Sequence, residues 1–125
     1  MFRTLLCIGA GSFAGGIARY LVSKAVENSI PSSFPFGTMT VNIIGCLLIG
    51  LLYGTLERCD LLDSNWQLFL IVGFCGGFTT FSTFINENYT LFSQANFAHF
   101  FFYPICSFGL GLLALYAGRI AIKLI

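Results

Sequence analysis

The charged residues of this chain stand in a few clusters, and the uncharged intervals between the clusters have the length of a membrane span. No Lys, Arg, Asp or Glu occurs from Asn28 to Thr55, from Ser64 to Asn86 or from Asn88 to Gly118. An α-helix rises about 1.5 Å per residue, so about 20 apolar residues cross the ~30 Å hydrocarbon core of a bilayer. Each interval therefore predicts one membrane-spanning helix.

The composition leads to the same class of protein. Of the 125 residues, 57% are hydrophobic and 9% are charged, whereas charged residues make up about 25% of a typical soluble domain. The formal net charge of +1 provides no basic surface for a nucleic acid. We therefore predict an all-α integral membrane protein in contact with the lipid bilayer, and we exclude an ordinary soluble enzyme and a nucleic-acid partner.

The four predicted helices form a single transmembrane domain over residues 1–125. The predicted spans cover about residues 4–24, 37–56, 66–91 and 97–122. The second helix starts late in its uncharged interval because turn-forming residues precede it: Pro31, Ser32, Ser33 and Pro35.

The first span reaches the length of a bilayer only if it includes Arg19. The Arg19 side chain either extends from the helix end to the headgroups or faces a water-filled vestibule, where its charge attracts anions. A cleaved signal peptide is the other alternative for this stretch. The absence of an A-x-A-like cleavage site argues against a signal peptide, and Gly11, Gly15 and Gly16 favour close helix packing.

The distribution of positive charge specifies the orientation of the chain poorly. Four spans place both termini on the same side of the membrane. That side carries Arg3, Arg58, Arg119 and Lys123, and the other side carries Arg19 and Lys24. Four against two is a weak bias under the positive-inside rule, so a chain of this kind can insert in both orientations.

Motifs of common enzymes are absent from the sequence, which has no P-loop, no HExxH and no GxSxG. The cysteines are odd in number and form no CxxC pair: Cys7, Cys46, Cys59, Cys75 and Cys106. Most lie inside spans, where cysteine acts as a small apolar side chain, so we predict neither a disulfide framework nor a zinc site. The single histidine, His99, stands among aromatic residues and is predicted to belong to an interfacial belt.

Polar residues inside the spans are informative because each must find a partner or line a cavity. Thr38 and Asn42 are four residues apart and share one face of the second helix. Tyr103, Ser107 and Gly111 repeat this spacing in the fourth helix. Hydrogen bonding between helices explains any one of these residues taken alone.

The third span contains paired glycines, Gly76 and Gly77, followed by four hydroxyl residues in five positions: Thr79, Thr80, Ser82 and Thr83. Glycine costs about 1 kcal/mol relative to alanine in a helix, and hydroxyl side chains compete for backbone carbonyls. We therefore predict that this helix is broken near its centre, between Gly76 and Thr80. Carbonyls freed at mid-membrane are tolerated only where a cation or a buried partner coordinates them.

Phe81 and Phe84 are three residues apart and share a face of the helix that resumes after the break. The edge of an aromatic ring carries partial positive charge, so ring edges that face a pore are weak, dehydrated partners for an anion. Uncharged hydrogen-bond donors accompany the rings: Thr38, Asn42, Ser82 and Thr83. This combination indicates a path for an anion.

These residues resemble the Fluc fluoride channel family, also called CrcB. The resemblance extends over most of the chain and rests on three segments: a glycine-rich first helix that ends in Arg19-Tyr20, the run Gly37-Thr38-Met39-Thr40-Val41-Asn42 with Gly45, and the run Gly76-Gly77-Phe78-Thr79-Thr80-Phe81-Ser82-Thr83-Phe84. The last segment is highly specific and the second moderately so.

The resemblance implies a channel of the bacterial plasma membrane that passively exports fluoride and protects against its toxicity. It implies an antiparallel, dual-topology homodimer with two pores lined by both subunits and a structural sodium ion at the dimer centre. By position, Asn42, Phe81 and Phe84 would bind or pass fluoride. Other residues of the fluoride path would be Thr38, Ser82, Thr83, Tyr103, Ser107 and, near the vestibule, Arg19. Backbone carbonyls of Gly76 and Thr79 would hold the sodium ion.

Two positions depart from the family pattern. Ile85 stands where a small polar residue often follows the second phenylalanine, although Glu87 is kept. Gly111 stands where a serine is common. The roles of Glu87 and His99 stay open.

Other functions make different demands on the sequence. A small dimeric proton-coupled exporter of the multidrug type needs an intramembrane carboxylate, but no Asp or Glu lies between Met1 and Val26, and Glu27, Glu57 and Glu87 lie near the predicted span ends. A non-transporting scaffold would explain isolated polar residues as packing contacts, but not the paired glycines and clustered hydroxyls. A membrane enzyme would need a nucleophile–base pair or a metal-ligand cluster, and neither can be assembled.

Overall fold

The computed structural model describes residues 1–58 and 63–125, and these residues form helices and short connections without a β-strand. The helices are α1 (Phe2–Ser29), α2 (Phe36–Arg58), α3 (Ser64–Gln67), a π-helical segment (Leu68–Cys75), α4 (Gly76–Phe78), α5 (Ser82–Ser93) and α6 (Phe97–Leu124). Of the cysteines, Cys59 lies outside the described residues.

Four stretches of helix are long and apolar enough to cross a membrane. They are α1, α2, the third span (Ser64–Ser93, which combines α3, the π-helical segment, α4 and α5) and α6. Large apolar side chains are exposed along all four, such as Phe13, Phe101 and Leu113, as expected where lipid rather than water surrounds the helices. The predicted all-helical membrane protein with four spans is confirmed.

Glycines bring α1 and the third span into backbone contact. A Cβ at Gly11 or Gly15 would collide with the carbonyl oxygens of Phe69 and Phe74, and a Cβ at Gly77 would lie 2.7 Å from the carbonyl oxygen of Ser12. Small residues permit this approach between membrane helices. At Gly16 no atom of the described residues outside its own helix backbone lies within 4 Å of the Cβ position, although the Gly16 backbone nitrogen would lie 3.3 Å from a Cβ at Gly77. The prediction of close packing therefore holds for Gly11 and Gly15, whereas Gly16 contributes its backbone only.

A second glycine contact joins α2 to α6. A Cβ at Gly118 would lie 2.7 Å from the carbonyl oxygen of Leu47, and one at Gly50 would collide with the carbonyl group of Leu115. Near the ends of these two helices, Glu57 and Arg119 form an ion pair. The molecule is thus two glycine-packed helix pairs, α1 with the third span and α2 with α6.

The third span is interrupted between Phe78, the last residue of α4, and Ser82, the first residue of α5. Thr79 is extended, with φ −83° and ψ 159°. The interruption therefore begins later than the glycine pair suggested, because Gly76 is itself helical, with φ −62° and ψ −38°. Gly77 serves the close approach to α1 rather than a change of backbone direction. The preceding π-helical segment has no counterpart in the predictions.

An aromatic cluster covers one end of the bundle. The buried Phe34 ring contacts the rings of Phe36, His99 and Tyr103, with centroid distances of 4.7, 5.2 and 5.4 Å. His99 is thereby half-buried, edge-on to Phe34, and its Nδ1 lies 3.1 Å from the Asn96 side-chain amide. The structure thus gives the His99 ring partners from within the protein.

Candidate functional site

The interruption of the third span is held by the side chain of Asn42 on α2. Its Nδ2 donates to the carbonyl oxygen of Thr80 at 3.0 Å, and its Oδ1 accepts from the backbone N–H of Thr80 at 2.8 Å. The carboxamide therefore satisfies both backbone groups of a residue that has left the helix. A carboxamide has two N–H donors, so the second N–H of Asn42 remains for another acceptor.

Thr79 lies next to α2 because the facing residue is glycine. A Cβ at Gly45 would collide with Cγ2 of Thr79. The hydroxyl of Thr79 donates to the carbonyl oxygen of Cys75 at 3.0 Å, and its backbone N–H donates to the same oxygen at 3.1 Å. These contacts turn the threonine side chain back toward α4.

The carbonyl groups around the interruption fall into two sets. Those of Cys75, Gly77 and Thr80 accept hydrogen bonds from Thr79, Arg19 and Asn42. Within the part of the chain that the structure describes, no hydrogen bond reaches the carbonyl oxygens of Gly76, Phe78 or Thr79. Unpaired carbonyl oxygens suit a hard cation such as sodium and are costly in a membrane without one.

A groove of about 490 Å³ runs beside the interruption, between α2, α5 and α6. Its polar lining includes Asn42, Thr79, Thr80 and Ser107. Phe81 and Phe84 also line it, with ring centroids 6.0 Å apart and an interplanar angle of 32°. The structure thus brings Asn42, both phenylalanines and Ser107 to one cavity.

The hydroxyl of Ser107 is buried in this groove without a hydrogen-bond partner among the described residues. A buried hydroxyl without a partner is rare and calls for a ligand, a water or a second chain. On the same helix, a Cβ at Gly111 would lie only 3.3 Å from Sγ of Cys46. Glycine rather than serine at this position therefore relieves a contact with α2.

Glu87 on α5 forms the centre of a polar cluster that joins three helices. Its Oε2 accepts from the Thr38 hydroxyl on α2, and its Oε1 accepts from the Tyr103 hydroxyl on α6, both at 3.0 Å. Thr38 and Tyr103 are buried, whereas Glu87 is half-buried. The ring of Phe84 lies 4.9 Å from that of Tyr103, so this cluster adjoins the groove.

Sequence reasoning left Glu87 without a role because it used charged residues to mark the ends of spans. In the structure Glu87 lies inside α5, with its carboxylate turned toward α2 and α6. The available signal was chemical: Thr38 and Tyr103 both place a hydroxyl in a span, and each hydroxyl needs an acceptor.

Ser82 and Thr83 are exposed at the start of α5, and the Phe81 ring beside them is 73% exposed. These two hydroxyl residues therefore lie on an open face of the single chain rather than among the polar residues of the groove. Arg19, on α1, is also apart from the groove, and its Nε donates to the Gly77 carbonyl oxygen at 3.2 Å.

A second cavity of about 300 Å³ is lined in part by Glu87. Its polar lining consists of Glu27, Ser32, Ser33, Glu87, Thr90 and Gln94, and Phe34 closes one wall. Glu87 thus lines this polar cavity and also accepts from Tyr103, whose ring contacts that of Phe84 in the groove.

Comparison with known proteins identifies relatives of this chain. Residues 6–119 match the family described as CrcB-like protein, Camphor Resistance (CrcB). Three relatives bear the name fluoride-specific ion channel FluC. The protein of Flavobacterium psychrophilum is 40% identical over 97% of this chain and 98% of the relative. That of Chlorobium luteolum is 43% identical over 96% and 92%, and that of Bacteroides fragilis is 46% identical over 93% of both chains.

Both the length of the match and the level of identity establish the relationship. With its four membrane-spanning helices, the chain is a multi-pass protein of the bacterial plasma membrane. It belongs to the CrcB family.

Proposed function

We propose that this chain forms a fluoride-selective channel that passively exports fluoride and catalyses no reaction. The names of its relatives support this proposal, since they are fluoride-specific ion channels. One structural observation carries it: Asn42, Ser107 and the rings of Phe81 and Phe84 line one groove, and Phe84 contacts Tyr103, whose hydroxyl donates to Glu87 in the lining of a second, polar cavity.

Fluoride is small and strongly hydrated, so its path must replace water with many hydrogen-bond donors. The free N–H of Asn42 and the unpaired hydroxyl of Ser107 lie in the groove with the rings of Phe81 and Phe84. Conduction also requires that the ion be released. Uncharged donors and ring edges bind an anion more weakly than a buried Lys or Arg would, and therefore meet both requirements.

The open face of the single chain supports a homodimer with pores lined by both subunits. Phe81 is 73% exposed, and Ser82 and Thr83 beside it are exposed as well. Hydroxyl groups seldom face lipid, because each needs a polar partner. A second copy would cover this face and convert the open groove into a closed path. Weak charge bias permits an antiparallel, dual-topology arrangement.

The carbonyl groups at the interruption fit a structural sodium ion at the centre of that dimer. The oxygens of Gly76 and Thr79 have no donor among the described residues, and the dimer would supply two of each. Sodium would supply a compact positive charge that compensates these four oxygens. The interruption would then be fixed at the same point in both subunits.

A proton-coupled exporter is the second candidate, and one observation favours it. Glu87 lies near the end of the third span (Ser64–Ser93), as predicted, but its carboxylate is turned into the protein and accepts hydrogen bonds from α2 and α6. An exporter of this kind would be driven by the proton gradient, so a protonophore would change its flux. The channel would pass fluoride down its own gradient whether or not a protonophore is present.

A fluoride electrode outside loaded proteoliposomes tests the proposal directly. We expect rapid release of fluoride but not chloride, and we expect Phe81→Ile and Phe84→Ile each to abolish it, because isoleucine has no ring edge for the ion. Phe2→Ile is the control, since Phe2 is 76% exposed at the far end of α1. Undiminished release by the Phe81→Ile, Phe84→Ile double variant would contradict the assigned path.

A further inference from the structure

Arg19 directs its side chain at the backbone of the third span rather than at another charged residue. Its Nε donates to the carbonyl oxygen of Gly77 at 3.2 Å, and the residue is only partly exposed. The ion pairs within residues 1–58 and 63–125 join Lys24 to Glu27 and Arg119 to Glu57, so neither includes Arg19. A partly buried guanidinium requires a hydrogen-bond acceptor, and the structure supplies the Gly77 carbonyl.

This hydrogen bond occupies one carbonyl group in a row that otherwise has no donors next to the interruption. The carbonyl of Gly77 lies between those of Gly76 and Thr79, which accept no hydrogen bond within the described part of the chain. The carbonyl of Phe78 likewise accepts none, so without Arg19 all four carbonyls from Gly76 to Thr79 would lack donors among the described residues. With Arg19 in place, the Gly77 carbonyl is occupied by a charge-assisted bond, the stronger kind of hydrogen bond.

We propose that Arg19 is a positioning residue for the sodium site. Its Nε–H occupies the Gly77 carbonyl and fixes the orientation of α4, so that the oxygens of Gly76 and Thr79 face the ion. This inference rests on the sodium site of the proposed function. It differs from a role in attracting anions, because the group that acts is one N–H donor rather than the net charge.

Three substitutions separate the donor from the charge. In Arg19→Gln, the amide nitrogen stands at the same position along the side chain as Nε of arginine, so the donor remains and the charge is lost. In Arg19→Lys, a methylene group takes the position of Nε and the charge remains. Arg19→Met has neither a donor nor a charge and keeps a similar length. Lys24→Gln is the control, since Lys24 is exposed on the same helix and its ammonium group pairs with Glu27.

The readout is the melting temperature of purified protein in detergent during a titration with sodium chloride, with choline chloride holding the ionic strength constant. An ion that binds only the folded state raises the melting temperature in a concentration-dependent manner. We expect Arg19→Gln and Lys24→Gln to keep the half-saturating sodium concentration of the wild type. In Arg19→Lys and Arg19→Met it should rise about tenfold, the equivalent of about 1.4 kcal/mol.

Each outcome decides between the two roles of Arg19. A wild-type sodium response in Arg19→Lys, or an equal loss in Arg19→Gln and Arg19→Lys, would overturn the positioning role and leave the sodium site standing. If sodium fails to stabilise even the wild type, the sodium site and this inference both fall. Fluoride release from proteoliposomes, measured separately, would then show whether the channel function still holds.

Discussion

At the scale of single residues, the Glu87 carboxylate organises the polar side of the proposed path. It accepts one hydrogen bond from a hydroxyl on α2 and one from a hydroxyl on α6, each with an oxygen–oxygen distance of 3.0 Å. Removing one donor leaves a partly buried carboxylate oxygen unpaired, and a loss of that kind costs more than the net value of the bond. The tyrosine is the more informative partner, because Tyr103 is fully buried and its ring also contacts Phe84.

We expect Tyr103→Phe to lower the free energy of unfolding by about 1 kcal/mol, because Oε1 of Glu87 loses its donor while the ring packing is kept. Unfolding in mixed micelles measures this change. Tyr116→Phe is the matched control, since Tyr116 lies on the same helix with 62% of its surface exposed. A double-mutant cycle with Glu87→Gln should give a non-additive coupling energy. Equal effects of the two tyrosine substitutions would contradict the role of the Glu87 cluster.

At the scale of elements, the helices are placed by glycines that allow backbones to touch. Gly15 and Gly16 are neighbours on α1 and have opposite surroundings. A Cβ at Gly15 would collide with the Phe74 carbonyl oxygen, whereas a Cβ at Gly16 would meet no atom within 4 Å among the described residues outside its own helix backbone. Because backbone atoms are involved at Gly15, no side-chain rotation relieves that collision.

Alanine substitutions at these neighbouring glycines should therefore have opposite effects on stability. Gly15→Ala should destabilise the protein by about 1–3 kcal/mol, the usual cost of overpacking. Gly16→Ala should be neutral or should stabilise it by up to about 1 kcal/mol, since alanine is the better helix former. Denaturant unfolding of the two variants in the same detergent measures the difference. Similar destabilisation by both would show that α1 does not pack on the third span as described.

The elements also show how far the sequence could predict this structure. Four helices followed from the spacing of charges, because the bilayer sets a minimum apolar length. The predicted interval for the interruption, Gly76 to Thr80, includes Thr79 and Thr80 but begins too early. Glycine signals either a backbone change or a close contact, and Gly77 serves the contact with Ser12. The sequence of Leu68–Cys75 contains nothing that predicts a π-helix, since it consists of apolar residues with one glycine and one cysteine.

The candidate site was predictable in its residue types but not in its connections. Asn42 was expected on the path, yet its two hydrogen bonds to Thr80 depend on the geometry of the interruption, which the sequence does not contain. Glu87 was overlooked because a charge near a span end has an ordinary explanation in solvation. Contacts between α2, α5 and α6 were needed to reveal its partners.

At the scale of the whole molecule, a single chain leaves the proposed path open along one side. The groove is bordered by the exposed ring of Phe81 and by exposed hydroxyl residues of α5. Four helices that pack as two pairs enclose no continuous pore by themselves. Pairing with an inverted copy would bury this face, and it requires that chains insert in both orientations.

Fixing the orientation therefore tests the antiparallel dimer. Leu124→Lys with Ile125→Lys adds two positive charges to the four on the side of the termini, at positions that are 82% and 84% exposed. The positive-inside rule then favours one orientation, so inverted partners become scarce and we expect fluoride release to fall to background. Protease accessibility of a C-terminal tag in sealed vesicles measures orientation in the same preparation.

The control variant, Leu124→Gln with Ile125→Gln, makes the same positions polar without charge and should release fluoride like the wild type. If the lysine variant is uniformly oriented and still releases fluoride like the wild type, antiparallel pairing is excluded, because no inverted copy would be present to complete the path.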